Sequence, residues 1–282
     1  MVLLPAGAYM PLFPVDPSDR KPIGGDTVSA IGLGTWAIRN PRRALEVLVE
    51  AVETGLVDNV DTAEMYGDGA AEELVGKLLR IVGRDRVFVT TKVLPWRLWR
   101  PEELERALRA SLRRLGVSTV DLVLIHWPLD DMPVAEQVKK LERVAISRGY
   151  ARYIGVSNFD HRQLEEALEA TASAEIVVNQ VHYSVLHRRQ VEEKLLPLAL
   201  RNGVTIQAYT PLERGLVARH PVVRRVAERL GRTPVQVALN YLISRPRVVA
   251  IPKTEQRDHL REILGALGWR LPVEALEELE KL

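Results

Sequence analysis

Cysteine is missing from all 282 residues. No disulfide framework, thiolate nucleophile or thiolate metal site can be built. Histidine is scarce, with six dispersed residues and no HExxH pair, which argues against a barrel metallohydrolase and for no metal at all. A GxGxxG motif is also absent, so no Rossmann site is offered. Neither sign of charge dominates: 39 basic and 37 acidic residues are interspersed and leave a net charge of +2. That gives no basic face for nucleic acid and no polybasic stretch for a membrane. No apolar run approaches transmembrane length. The opening MVLLPAGAYMPLFP carries three prolines and no basic region, so it does not read as a signal peptide. The expectation is a soluble, cytoplasmic protein. Asn and Gln are few beside abundant Arg and Glu, which fits a heat-adapted source.

What is present is a large apolar fraction, 46%, distributed with a regular rhythm. Val/Ile-rich runs of strand length recur at 29–36, 56–63, 86–93, 120–127, 151–158, 176–183, 204–211 and 248–254. They read as continuous apolar runs, as expected of strands buried on both faces. Between them lie stretches with i, i+3, i+4 apolar spacing. PRRALEVLVEAVETG (41–55) and PEELERALRASLRRLG (101–116) begin on proline and stop at glycine, the punctuation of a helix. The segments 71–80, 135–149, 161–170, 188–203 and 233–245 share the periodicity. Eight alternating units in this length predict an α/β fold, a closed (β/α)8 TIM barrel rather than an open doubly wound sheet. One domain spanning 1–282 is expected, with a short hairpin within 22–31, turning at Gly24-Gly25 or Asp26, and a closing helix in 272–282.

Function in such a barrel sits where the strands end. The strand-like run into Asp61 ends on a carboxylate, the third on Lys92, the fourth on His126. The fifth ends in Ser157-Asn158, the sixth carries Asn179-Gln180, the seventh ends in Tyr209-Thr210, the eighth in Lys253-Thr254. Singly each has an ordinary explanation: a cap, an exposed lysine, a satisfied core histidine. Jointly, Asp, Lys and His on successive strands, with Tyr66 one loop beyond Asp61, are hard to explain as packing. A buried lysine needs a counter-ion, and Asp61 can supply it. An ammonium beside a phenol favours the phenolate, so Lys92 is expected to lower the pKa of Tyr66. The loop EMYGDG (64–69), freed by Gly67 and Gly69, can bring Tyr66 back over the barrel mouth. The result would be a tuned proton donor, with His126 hydrogen-bonding the same substrate oxygen.

DTAxxYG, TTKV, LIHWP, GVSNF, NQVHY, AYTPL and IPKT, in this order, resemble the aldo-keto reductase superfamily from residue 32 to about residue 270. LIHWP and NQVxYS place the likeness nearer the prokaryotic aldehyde and keto-acid reductases than the channel-associated β-subunits. The resemblance implies reduction of aldehydes and ketones by direct hydride transfer from NADPH, with NADH weaker. It implies Tyr66 as general acid, Lys92 and Asp61 as its tuning pair and His126 as the residue orienting the carbonyl. Ser157, Asn158 and Gln180 would hold the carboxamide, and Tyr209 would stack on the nicotinamide. Asp61, Thr35 and Trp36 would lie beside that ring. Thr210, Pro211, Leu212, Arg214, Gly215 and Leu216 would pass over the pyrophosphate. Ile251, Pro252, Lys253, Thr254, Gln256, His259 and Glu262 would meet the adenosine and its 2′-phosphate, near a helix N-terminus. Trp36, Met65, Tyr66, Trp96, His126 and Trp127 would line an apolar substrate pocket.

The chain departs from the family pattern in two places. His259 stands where arginine is usual, and Ile263 where asparagine usually follows Glu262. The short segment after the last helix implies an open, permissive pocket. The expected partner is a small carbonyl compound, and a monomer is expected. A nicotinamide-binding subunit that senses redox state without turnover is the alternative reading, disfavoured by the intact set of four polar residues.

Overall fold

The computed structural model describes residues 10–282. The signal-peptide reading of the opening residues falls largely on 1–9, outside the described residues. Among the described residues, ten strands form two sheets. β1 (Arg20–Ile23) and β2 (Asp26–Ser29) are an antiparallel hairpin turning at Gly24-Gly25. The other eight are β3 (Leu33–Gly34), β4 (Asn59–Asp61), β5 (Phe88–Val93), β6 (Val120–Ile125), β7 (Ala151–Ser157), β8 (Ile176–His182), β9 (Thr205–Tyr209) and β10 (Val248–Ala250). They pair in parallel in chain order. The sheet closes on itself: Gly32 N–H donates to Ala250 O at 2.9 Å, Ala250 N–H to Ala30 O at 2.9 Å and Gly34 N–H to Pro252 O at 3.0 Å. It is the expected (β/α)8 barrel.

Helices α1 (Pro41–Glu53), α2 (Ala70–Val82), α3 (Pro101–Leu115), α4 (Val134–Ala145) and α5 (His161–Ala170) cover the strands, followed by α6 (Leu196–Arg201), α7 (Pro221–Leu230), α8 (Pro234–Ile243), α9 (Arg257–Leu264) and α10 (Val273–Leu279). α10 is the expected closing helix. A π-helical turn, Val191–Leu195, leads into α6. The sequence pattern did not single out α7 or α9. No helix among the described residues is long and apolar enough to cross a membrane.

The hairpin has a job at the bottom of the barrel. Ile23 and Val28 pack with Phe88, Leu122, Leu124, Val178 and Val249 in one buried cluster, so the lower end is plugged. Side chains alternate along a strand, which makes every second residue of β5 to β9 point inward. From bottom to top the inward series run Phe88, Thr90, Lys92; Leu122, Leu124, His126; Tyr153, Gly155, Ser157; Val178, Gln180; and Gln207, Tyr209. Apolar residues fill the lower layers and polar ones the upper. The strands are shorter than the apolar runs suggested: His126, Asn158 and Lys253 lie just beyond the last paired residues, where the chain leaves the ladder.

Candidate active site at the upper barrel mouth

Lys92 is the centre of the mouth and is fully buried. Its Nζ donates to both carboxylate oxygens of Asp61 at 2.7 Å, to Thr62 O at 2.8 Å and to the Tyr66 hydroxyl at 3.0 Å. Burial alone would drive the proton off Lys92, but Asp61 and Tyr66 outweigh it and hold its pKa above the ordinary value. Asp61 is drawn the other way by burial, which raises its pKa against the pull of Lys92, so the two groups hold their charges only as a pair. Tyr66 reaches it because the loop turns through three left-handed residues, Gly67, Asp68 and Gly69, with φ of 60°, 53° and 93°. Two glycines there spare the steric cost a Cβ would carry.

The direction expected for Tyr66 is corrected by its surroundings. Lys92 does pull the phenol toward ionisation, but loss of water raises it more, and Asp61 adds to the rise; the net shift is upward. Tyr66 is thus a firmly protonated phenol whose conjugate base would be met by an ammonium at 3.0 Å. Such a group is poised to give a proton rather than to hold a charge at rest.

His126 stands edge-on to Tyr66, ring centroids 5.7 Å apart, and Trp127 and Trp96 continue the aromatic wall at 4.8 Å and 5.8 Å. Burial and the nearby Lys92 ammonium push the His126 pKa down to about 3, so the ring is neutral. Its Nδ1 is buried and has no hydrogen-bond partner. Trp36, Met65 and Trp96 are each close to half exposed around the opening.

The remaining polar residues divide into two groups. The first is gathered beside Asp61. Gln180 Nε2 donates to Asp61 Oδ1 at 2.7 Å and to Gln207 Oε1 at 2.6 Å. Ser157 Oγ donates to Gln180 O at 2.9 Å, Asn158 Nδ2 to His126 O at 3.0 Å, and the Tyr209 hydroxyl to Asn158 Oδ1 at 2.7 Å. Thr35 is buried and donates to Asp61 O at 2.9 Å. The second group lies at the rim. The 210–216 loop swings Arg214 over the Trp36 ring at 5.4 Å. Pro211 is buried, Leu212 is half-buried against the core, and Gly215 and Leu216 are exposed. Ile251 and Pro252 are buried under the rim; Lys253 and Gln256 are exposed, and His259 and Glu262 follow along one face of α9.

A half-exposed aromatic ring with an amide beside it at one end, and lysine ahead of a helix N-terminus at the other, fit an extended dinucleotide. Among the described residues no cluster of three or more His, Asp and Glu could hold a metal.

Several participants escaped the sequence reading. Glu64 is buried and accepts from Leu94 N–H at 2.7 Å, tying the Tyr66 loop to the one bearing Trp96. Glu213 accepts from Ser184 Oγ and pairs with His182 Nε2, both at 2.6 Å, anchoring the 210–216 loop. Glu255 is bonded to Lys253. Glu64 sits inside the DTAEMY motif and could have been flagged there; the other two are defined by what they meet in space.

A model of the Aldo/keto reductase family matches residues 30–282. A methylglyoxal reductase of Escherichia coli (strain K12) is 33% identical over 266 residues, 92% of each chain. An NADH-specific methylglyoxal reductase of the same organism is 34% identical over 220 residues, 68% of this chain and 66% of its own length. The crystal structure of an aldo/keto reductase from Klebsiella pneumoniae in complex with NADP and acetate superposes with a TM-score of 0.85 at 34% identity, covering 93% of this chain and 94% of that one.

Proposed function

Because the chain belongs to the aldo/keto reductase family, we propose that it is an NADPH-dependent reductase of small aldehydes and ketones, 2-oxoaldehydes included, with Tyr66 as its proton donor. When bound, the reduced nicotinamide supplies a hydride to the carbonyl carbon. Tyr66 gives its proton to the carbonyl oxygen as negative charge develops there. Lys92, held charged by Asp61, stabilises the phenolate left behind. Neutral His126 hydrogen-bonds the same oxygen and orients the carbonyl without competing as an acid. Ser157, Asn158 and Gln180 would hold the carboxamide and Tyr209 would stack on the ring; the loop 210–216 and the Lys253 segment would take the phosphates. The wall of Trp36, Met65, Trp96 and Trp127 favours substrates with an apolar group next to the carbonyl. Monomeric operation in the cytoplasm, in a heat-adapted source, completes the reading.

The observation that carries it is the 3.0 Å contact between the buried Lys92 ammonium and the Tyr66 hydroxyl at the mouth. Tyr66→Phe removes only the transferable proton. Turnover of methylglyoxal and an aromatic aldehyde should fall roughly 10²–10⁴-fold, while the dissociation constant for NADPH stays put. A variant keeping more than about a tenth of wild-type turnover would assign the proton to another group.

A further inference from the structure

Lys253 is already engaged. Its ammonium is bonded to the carboxylate of Glu255. That carboxylate cannot easily turn away, because its two oxygens also accept from Arg39 N–H at 3.0 Å and Asn40 N–H at 2.7 Å, at the entry to α1. The Glu255 side chain is 13% exposed against 31% for Lys253, so the acid is the more deeply set of the two. Burial favours its neutral form, but Lys253 and the two amides outweigh that and hold its pKa below the usual carboxylate value. Nearby, Arg257 turns to α1, where its Nε lies 3.0 Å from Glu50. His259 supplies an imidazole where a guanidinium would be the stronger phosphate partner.

A phosphate drawn to Lys253 would therefore lie close to a fixed negative charge, and the repulsion offsets part of the attraction at the same dielectric. A ribose hydroxyl meets no such penalty, since a carboxylate accepts a hydrogen bond from it; acidic residues select the unphosphorylated ribose elsewhere by this chemistry. We infer that Glu255 is a specificity-determining residue that weakens recognition of the 2′-phosphate, so that the protein uses NADH as well as NADPH with only a small preference for the latter. The inference rests on the nicotinamide-dinucleotide reading above.

The test is calorimetric binding of 2′,5′-ADP and 5′-AMP, with NADP+ and NAD+ alongside, to the wild type, Glu255→Gln and Lys253→Met. Gln keeps an oxygen for the Asn40 amide and removes the charge. The wild type should prefer 2′,5′-ADP over 5′-AMP by less than about tenfold. Glu255→Gln should tighten 2′,5′-ADP by roughly tenfold and leave 5′-AMP unchanged or slightly weaker. Lys253→Met should weaken 2′,5′-ADP alone. Looser 2′,5′-ADP binding in Glu255→Gln would overturn the inference, because Glu255 would then be holding Lys253 in place for the phosphate. So would a wild-type preference above about a hundredfold, a measurement that needs no variant to fold. If none of the four nucleotides binds the wild type, the dinucleotide reading fails and takes the inference with it.

Discussion

A histidine buried near an ammonium pays for its position only when it is asked to charge. Burial and the Lys92 charge push the His126 pKa from an ordinary 6.5 down to about 3. Between those values the unfolded chain binds a proton that the native state refuses, so native stability falls as pH descends through that window. The slope attributable to this one group reaches at most about 1.4 kcal/mol per pH unit. His126→Gln removes it. Urea denaturation from pH 7 to pH 4 should show the wild type losing more stability than the variant; parallel curves would mean the ring is not held neutral by its surroundings. Asp61, Lys92 and His126 were legible in the sequence for a simple reason: each ends a buried run, and parity along the strand points each inward. The net shift on Tyr66 was not legible. Its hydroxyl is desolvated by a loop folding back over the mouth, and no local pattern reports how much water that removes.

Among the described residues, the 210–216 loop gathers the most non-glycine residues with left-handed φ. Thr210, Glu213 and Arg214 all adopt left-handed φ, at 52°, 48° and 52°, without being glycine. Such residues cost roughly 1–3 kcal/mol each, so something must hold the loop. Glu213 does, through His182 and Ser184, while the His182 ring is stacked on His187 at 4.1 Å and lies near-parallel to Tyr209 at 5.7 Å. Glu213→Ala should release the loop: amide exchange across 210–216 should quicken and dinucleotide binding weaken about tenfold, on the scale of one charge-assisted hydrogen bond. Unchanged exchange with unchanged affinity would show that the loop is held by its own packing. His182 and Glu213 are 31 residues apart, and the pairing of neighbouring strands β8 and β9, which sets His182 opposite Tyr209, brings them together. Helices divide in the same way. α7 carries Pro221 at its start and Gly231 at its end, so its signal was present. α9 buries only Leu260 and Ile263, too short an apolar stripe to declare itself.

At the scale of the molecule, the barrel rhythm, the hairpin and the closing helix were readable because each is a local pattern repeated or placed at an end. What ties the closing elements to the barrel was not. Glu192, in the π-helical turn before α6, is buried beneath four donors. Its Oε1 accepts from Tyr183 at 2.7 Å, Tyr241 at 2.8 Å and Arg245 Nε at 3.3 Å, and its Oε2 from Arg188 at 2.8 Å. Arg245 also reaches Glu280 just past α10, and its guanidinium lies over the rings of Tyr241 and Phe13. One carboxylate thus joins the loop after β8, the turn into α6 and α8, and through Arg245 the C-terminal helix and the N-terminal segment. Arg188 Nε and Arg245 Nη1 are buried without a hydrogen-bond partner, so the set has no slack for a lost carboxylate. Glu192→Gln leaves the buried Arg188 guanidinium without its counter-ion and Arg245 with Glu280 alone, a defect of about 3–5 kcal/mol. In a chain of this length that lowers the melting temperature by roughly 10 °C. Turnover at 25 °C should hold, because none of these groups faces the mouth. Replacing Glu192, Arg188 and Arg245 together by Met, Leu and Met should restore part of the loss, since it removes both stranded guanidiniums and leaves only Glu280, whose pKa burial raises to about 7 so that it can take up a proton. Scanning calorimetry of the three proteins decides it: a single variant within about 1 kcal/mol of wild type, or a triple variant worse than the single, would show that the network is not what fastens the two ends of the chain to the barrel.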